Sequence, residues 1–378
     1  MNQTAEPLQQ IKRTYVRVKR EIFSYFGGCD YFRLSSHPQI VSAVAEGLGR
    51  YGLNVAASRK TTGNHAVYEQ LERSLARFFA VESAVLVSSG YVASLAFAQA
   101  MAGQFSRVLI DDAAHAALFD AARFLDCAVE RFPHRSVSEV QQAVTRAGRR
   151  SRLLLLTDGM FSRDGELAPL GDYLKILPPS GLVLVDDAHG VGTLGPGGRG
   201  TAELLGVATP RLIQAITLSK AFGVYGGAIL ATAALCEEIV AKSRLFVGNT
   251  PLPPPLAHAA SQSLRLIRSD RAMRRRLEAN TKRVKGTLRR AGFPVAETPS
   301  PIVSLFPRDA REAAQFRRLL LARRIYPSLI RYPGGPPGGY FRFALSSEHE
   351  PKQLDDLLSA FLDHLALTAG GEWALSEP

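Results

Sequence analysis

The chain is poor in cysteine. Among its 378 residues only Cys29, Cys127 and Cys236 occur, widely spaced and odd in number. No disulfide framework and no metal-ligand spacing follows from them, so a reducing, cytoplasmic setting is the expectation. A run of 18 or more apolar residues is also missing, and no membrane-spanning helix is expected. Met1 to Gln10 are polar and lack the apolar centre of a secretory signal. No internal repeat is present, nor any zinc-finger or RNP-type motif.

What the chain does have is length, an ordinary apolar fraction of 46% and a formal charge of +12. The length suffices for a large core and for two or three domains. The charge is uneven: residues 265–342 hold 19 Lys and Arg against 5 Asp and Glu. Such a surplus suits a solvated basic helix face first. It also suits steering of a polyanionic substrate such as an acyl-CoA, or of an acidic carrier protein. Nucleic acid ranks last, because no recognition motif accompanies the charge.

Short apolar runs at 84–87, 108–110, 153–156, 182–185, 212–216 and 228–230 read as buried strands. Helix-like stretches at 67–80 and 136–148 lie between some of them. Strands alternating with helices predict an α/β fold with a mainly parallel sheet covered on both faces. Residues 11–26 read as a basic amphipathic helix or arm. Thr250-Pro-Leu-Pro-Pro-Pro255 breaks regular structure, and an Arg-rich helical stretch follows at roughly 256–291. Strand-like pieces at 302–305 and 340–345 and a helix from about Pro351 complete a smaller α+β domain. The expected boundaries are an arm over 1–40, a large domain over 41–255 and a small domain over 256–378.

Two of the apolar runs end in charged residues. Leu182-Val-Leu-Val-Asp-Asp-Ala-His189 places acids and an imidazole at a strand end, and Thr217-Leu-Ser-Lys220 places a lone lysine in a loop of small residues. In open α/β sheets ligands bind outside the carboxyl ends of the strands. An amine, an acid and an imidazole in one crevice suit pyridoxal phosphate chemistry. Lysine forms the Schiff base and the acid keeps the pyridine nitrogen protonated, making the ring an electron sink. Taken bare, Asp111, Asp112, His115, Asp186, Asp187 and His189 also suit a divalent metal, but a metal has no use for Thr217-x-x-Lys220. Asp186 and Asp187 each suit a helix N-cap as well, Asp187 the better of the two.

The run Asp186-Asp187-Ala188-His189-Gly190-Val191-Gly192-Thr193-Leu194-Gly195-Pro196-Gly197-Gly198-Arg199-Gly200, followed by Thr217-Leu-Ser-Lys220-Ala-Phe-Gly-Val-Tyr-Gly-Gly227, resembles the α-oxoamine synthase family. The resemblance runs from about Tyr31 to about Phe361. It implies a fold-type-I pyridoxal 5'-phosphate-dependent transferase of the aspartate aminotransferase type, working as a homodimer. It also implies decarboxylative condensation of a small α-amino acid with an acyl thioester, from acyl-CoA or acyl carrier protein, to an α-amino ketone. Another reaction on the same cofactor, an aminotransferase or an aldol-type lyase, and a non-catalytic partner subunit are the alternatives. An intact Lys220 and Asp186 speak against the last.

The resemblance also assigns residues. Lys220 becomes the Schiff-base lysine and general base, Asp186 the partner of the ring nitrogen, and His189 a neighbour of the phenolic oxygen. His115 becomes the imidazole stacked on the ring. Gly90 and Tyr91, in Ser88-Ser89-Gly90-Tyr91-Val92-Ala93-Ser94, resemble the phosphate-side turn, where a helix start offers backbone N–H groups. Ser162, in Phe161-Ser162-Arg163-Asp164-Gly165, matches a serine near the ring oxygen. Thr217 joins the cofactor set, and Thr250 matches a hydroxyl lent across the dimer to the partner's phosphate. Arg342, in Tyr340-Phe-Arg342-Phe-Ala-Leu-Ser346, matches the arginine for the substrate carboxylate, while a solvent-facing edge arginine is the plain reading. The family's first motif is altered here to Cys29-Asp30-Tyr31, and Tyr68 stands where the family usually has histidine. Gly334 replaces a common threonine in the loop 333–339, which reads as a substrate lip or a turn. These positions surround the substrate pockets and leave the core chemistry intact.

Overall fold

The computed structural model describes residues 6–148, 150–331, 336 and 338–368. Most of the Gly/Pro loop 333–339 therefore lies outside the described residues. The chain divides into two compact units, one holding residues 6–33, 163–166 and 272–368, the other 34–162 and 167–271.

The first unit opens with three short strands, β1 (Gln9–Lys12), β2 (Tyr15–Val18) and β3 (Glu21–Ser24), paired antiparallel in sequence order. The segment 11–26, read as a basic amphipathic helix or arm, is thus a meander and not a helix. Ile11, Tyr15, Val18 and Ile22 have helical spacing, but Val16 and Val18 are buried around an exposed Arg17, the period of a strand. Lys19 takes a left-handed backbone, φ 53°, at the turn between β2 and β3.

The larger unit holds β4 (Ser83–Val87), β5 (Arg107–Asp111), β6 (Ala128–Phe132), β7 (Leu153–Asp158), β8 (Leu182–Asp186), β9 (Leu212–Thr217) and β10 (Gly227–Ala231). They form one sheet in the order β4-β10-β9-β8-β7-β5-β6. The run from β9 to β6 is parallel, and β10 is antiparallel to both neighbours. Its helices are α1 (Pro38–Tyr51), α2 (Ala66–Phe79), α3 (Gly90–Ala100), α4 (Ala116–Ala122), α5 (Val137–Ala147), α6 (Leu170–Ile176), α7 (Thr201–Leu204), α8 (Ala233–Lys242), α9 (Arg244–Val247) and α10 (Pro254–Ser269). Both faces of the sheet's central strands are dry. Val108, Ile110, Leu154, Leu156 and Leu184 pack with Phe97 and Leu118 on one side, and Leu109, Leu153, Leu155 and Val183 with Val140 and Tyr173 on the other. A strand covered on both faces has no polar alternate, which is why these runs are continuously apolar.

The smaller unit continues with α11 (Arg271–Arg290), β11 (Ile302–Leu305), α12 (Ala310–Ala322), β12 (Leu329–Ile330), β13 (Tyr340–Ala344) and α13 (Pro351–Thr368). β13 is the central strand between β11 and β12, antiparallel to both. Phe26, Phe316, Phe341, Phe343 and Phe361 dominate its core. The single Arg-rich helix expected over 256–291 is two helices, interrupted at Asp270, where ψ is 81°.

Candidate active site

The parallel strands run their carboxyl ends to one edge of the sheet, and that edge is acidic. Asp111 closes β5, Asp158 closes β7, Asp186 closes β8, and Thr217 closes β9. Lys220 follows three residues after Thr217. Its loop is held by Leu218 and Gly226, whose N–H and carbonyl meet at 2.9 Å, and by the Gly223 N–H donating to the Lys220 carbonyl at 2.9 Å. Thr217 Oγ1 accepts the Ser219 N–H at 3.1 Å and donates to the Gly226 carbonyl. The threonine hydroxyl thus shapes the turn that carries the lysine.

Asp186 is 8% exposed, and its Oδ1 accepts the Ala188 N–H at 3.1 Å. Asp187 points elsewhere, taking the Thr201 N–H at 2.8 Å and the Thr201 hydroxyl at 2.6 Å at the start of α7. The N-cap residue of α7 is Gly200, so Asp187 is not the local helix cap its position suggested but a carboxylate that reaches the helix start from 14 residues upstream. Glycines enclose that carboxylate: a Cβ at Gly159, Gly190 or Gly200 would lie 2.5, 2.1 or 2.1 Å from an Asp187 oxygen. Burial pushes the Asp187 carboxyl up to about 7 against the pull of the Thr201 donors. His189 is buried in the same turn, its carbonyl accepting the Thr193 hydroxyl at 2.8 Å.

His115 is the N-cap of α4, with Nδ1 accepting the Ala117 N–H at 3.2 Å. That acceptor role leaves the proton of a neutral ring on Nε2. Its ring is exposed and meets Tyr91 edge-on at 6.1 Å, and the Tyr91 hydroxyl bonds Asp120. Helix α3 begins at Gly90 after the Ser89 cap. A Cβ at position 90 would stand 2.7 Å from the Thr217 Cβ, so glycine lets the helix start close on the end of β9.

One central residue escaped the reading of the sequence. Asp158 lies beside Asp186 in the β7–β8 register, is 4% exposed, and accepts the His115 N–H at 2.8 Å. Burial, then the neighbouring Asp186, raise its carboxyl well above the usual range. Lys220 and the His115 N–H pull the other way. The signal was legible as an acid closing the apolar run 153–156. Asp111 is committed to the His134 ring at 2.9 Å and to the Ala113 and Arg135 N–H groups, and Asp112 to Arg131. The acids that a metal would need are therefore spread over separate partners.

Ser162 is half-buried and Thr250 exposed. Two residues after Thr250, the Leu252 carbonyl accepts the buried Tyr68 hydroxyl at 2.6 Å. Arg342 belongs to the smaller unit. It is 9% exposed, sits in the central strand opposite Ser304, and its charge bears on the Tyr25 and Tyr31 phenols. The plain reading as a solvent-facing edge arginine therefore does not hold.

The edge fits pyridoxal phosphate. Asp158 and Asp186 are buried side by side with Lys220 close to Asp158, so a cationic ring nitrogen would find an acidic partner in this pair. The glycine helix start beside Thr217 offers backbone N–H groups to a phosphate.

The aminotransferase class I and II family model matches residues 29–361. An 8-amino-7-oxononanoate synthase of Citrifermentans bemidjiense is 35% identical over 331 residues, covering 86% of this chain and 85% of that protein. A serine palmitoyltransferase variant from S. paucimobilis, solved with a bound PLP–myriocin aldimine, superposes with a TM-score of 0.90 at 27% identity, covering 97% of this chain and 94% of the other. An 8-amino-7-oxononanoate synthase from Francisella tularensis gives 0.80 at 26% identity, covering 92% and 99%. The chain belongs to the aminotransferase class I and II family and, within it, to the pyridoxal 5'-phosphate-dependent α-oxoamine synthases.

Proposed function

We propose that this chain joins a small α-amino acid to an acyl thioester, with loss of carbon dioxide and thiol, and releases an α-amino ketone. The observation that carries the reading is the convergence of Lys220, Asp186, Asp158 and His115 on one sheet edge. The relatives' names support the chemistry. An 8-amino-7-oxononanoate has its amine and ketone on adjacent carbons, and a palmitoyltransferase moves an acyl group.

Bound pyridoxal 5'-phosphate supplies an electron-accepting ring conjugated to the substrate nitrogen. The chain's own residues do the rest. Lys220 would hold the cofactor through its amine and serve as the base that takes the substrate's α-proton. Asp186 keeps the proton on the ring nitrogen. His115 would cover the ring, and His189 and Ser162 would serve the phenolic oxygen. Gly90 and Tyr91 would hold the phosphate, joined by Thr250 from a second copy, and Thr217 would serve the cofactor by shaping the turn that carries Lys220. Arg342 binds the amino acid carboxylate, its planar fork matching two oxygens. A homodimer suits exposed Val41, Leu48 and Leu53 on and just after α1, an apolar stripe that a second copy would cover. No helix among the described residues is long and apolar enough to cross a membrane, and we place the enzyme in the cytoplasm.

The test is a screen of amino acids against acyl-CoA and acyl-carrier thioesters, following free thiol. The protein should be yellow, and borohydride should fix a pyridoxyl group on Lys220. Lys220→Ala should retain cofactor non-covalently at most and lose turnover. Protein that stays colourless and unlabelled after added cofactor refutes the reading. So does thiol release that proceeds without an amino acid.

A further inference from the structure

Asp158 is a buried acid to which the reaction described above gives no task. β7 and β8 run parallel, and their register sets Asp158 directly beside Asp186. Alternation puts both on the face that carries Leu156 and Leu184. Neighbouring strands lie about 4.8 Å apart, so the two carboxyl groups share one dry space. Like charges at that spacing do not both ionise readily, and one acid of such a pair keeps its proton.

The surroundings decide which. Asp158 is the deeper, and it faces Asp186 from β8, Asp111 from β5, Lys220 from the loop after β9 and the His115 N–H from the start of α4. Asp111 is already taken up by His134 and two backbone N–H groups. Burial comes first among the influences on Asp158 and the Asp186 charge second, both favouring the protonated form.

We propose that Asp158 is a positioning residue that holds the proton of the Asp158–Asp186 pair, anchors His115 through its backbone N–H, and leaves the negative charge on Asp186. The proposal rests on the reading of Asp186 as the ring-nitrogen partner. One carbonyl-like oxygen of the neutral acid accepts the His115 N–H, which fixes the cap of α4 and the imidazole it carries. A second full charge at this edge would compete with Asp186 for the ring-nitrogen proton.

The first test needs no cofactor. An acid that holds its proton more tightly in the native state than in the unfolded chain stabilises below its unfolded pKa. That stability is lost as pH rises through the native pKa. Asp158→Asn keeps the acceptor and cannot ionise. Melting temperatures of cofactor-free wild type and Asp158→Asn should diverge from about pH 5 to about pH 9, the variant gaining on the wild type. A constant difference across that range overturns the proposal.

The second test separates charge from hydrogen bonding. Asp158→Ala should weaken cofactor retention roughly tenfold, because the His115 N–H loses its acceptor. Asp158→Asn should restore most of that retention. If asparagine is as poor as alanine, the carboxylate charge is needed and the proposal fails. Should Asp158→Asn not fold, a protonated-carboxyl infrared band at about pH 7 is sought in Asp187→Asn, which removes the other raised acid. Absence of the band is equally fatal. Asp186→Asn is run in parallel: unchanged α-proton exchange there refutes the ring-nitrogen role alone, since the first test is read without cofactor.

Discussion

Removing one oxygen atom from Tyr68 tests how the segment around Thr250 is held. The ring is fully buried, and its hydroxyl donates to the Leu252 carbonyl at 2.6 Å, two residues from Thr250. Above the ring lies the Arg59 guanidinium, 5.1 Å from the centroid. That guanidinium is itself held by Glu72 through bonds of 2.5 and 2.9 Å, and Glu72 also accepts the Leu86 N–H at 2.8 Å. Tyr68→Phe leaves this frame and the ring in place, so the loss is confined to one hydrogen bond. A buried carbonyl left without its donor costs about 1–3 kcal/mol. In a unit of this size each kcal/mol lowers the melting temperature by roughly 2–4 °C.

Burial raises the Tyr68 phenol to about 12, against the pull of Arg59. The phenol is therefore neutral throughout the working range, and its contribution is lost only as pH rises through about 12. The destabilisation should be the same at about pH 6 and about pH 9. Loosening the segment should weaken pyridoxal phosphate more than pyridoxal, which has no phosphate for Thr250 to reach. Calorimetry across pH and equilibrium dialysis of the two cofactors read both effects. A loss below about 0.5 kcal/mol, or one that changes across the range, refutes the account of the hydrogen bond. Equal weakening of the two cofactors refutes the link to the phosphate.

Asp186→Asn should slow α-proton exchange by more than the roughly 1.5–3 kcal/mol that a charge-assisted bond contributes to holding the cofactor, and unchanged exchange rates would remove the assigned role. Asp187, raised to about 7, holds its proton more tightly in the native state, so it stabilises fully below its unfolded value and that contribution fades as pH climbs through about 7. Asp187→Asn should flatten the acid-to-neutral slope of the melting temperature, and a parallel slope would count against the raised value. The basic surplus of 265–342 is partly neutralised, with Arg276 on Glu348, Arg283 on Asp355 and Arg289 on Glu297. If the remainder recruits a polyanionic thioester, its KM rises with salt while kcat holds, because screening acts over about 8–10 Å. A flat KM leaves only a solvated face.

The sheet was legible because its strands are buried on both sides. Each run from β4 to β10 except β6 carries an apolar stretch, interrupted in β9 by Gln214, and chemistry begins beyond the end of that stretch. β6 escaped because it is the edge strand, with only Phe132 fully buried. The meander at 9–24 escaped for a different reason. Its apolar residues satisfy a period of 3.6 through Ile11, Tyr15, Val18 and Ile22, and a period of two through Val16 and Val18. Composition cannot choose between those periods. The tertiary partners Leu321 and Tyr326, which pack against Val16, Val18 and Phe23, choose the strand.

The same distinction runs through the site. Asp186 could be named because it closes its own apolar run, and Lys220 because it follows one in the loop after Thr217, both local properties. Asp158 closes one too, but its importance is relational. It comes from the register that lays the end of β7 beside the end of β8, and from an N–H that arrives from the start of α4. No window of the sequence contains both partners of either contact. Arg342 shows the converse. A local alternation pattern placed it on a strand face, yet its burial follows from β13 being central, flanked by strands roughly 11 and 37 residues upstream. The residues proposed to hold the site's chemistry were visible as types and spacings. Asp158, proposed to set its charge and its rigidity, became visible only once strand order and register were known.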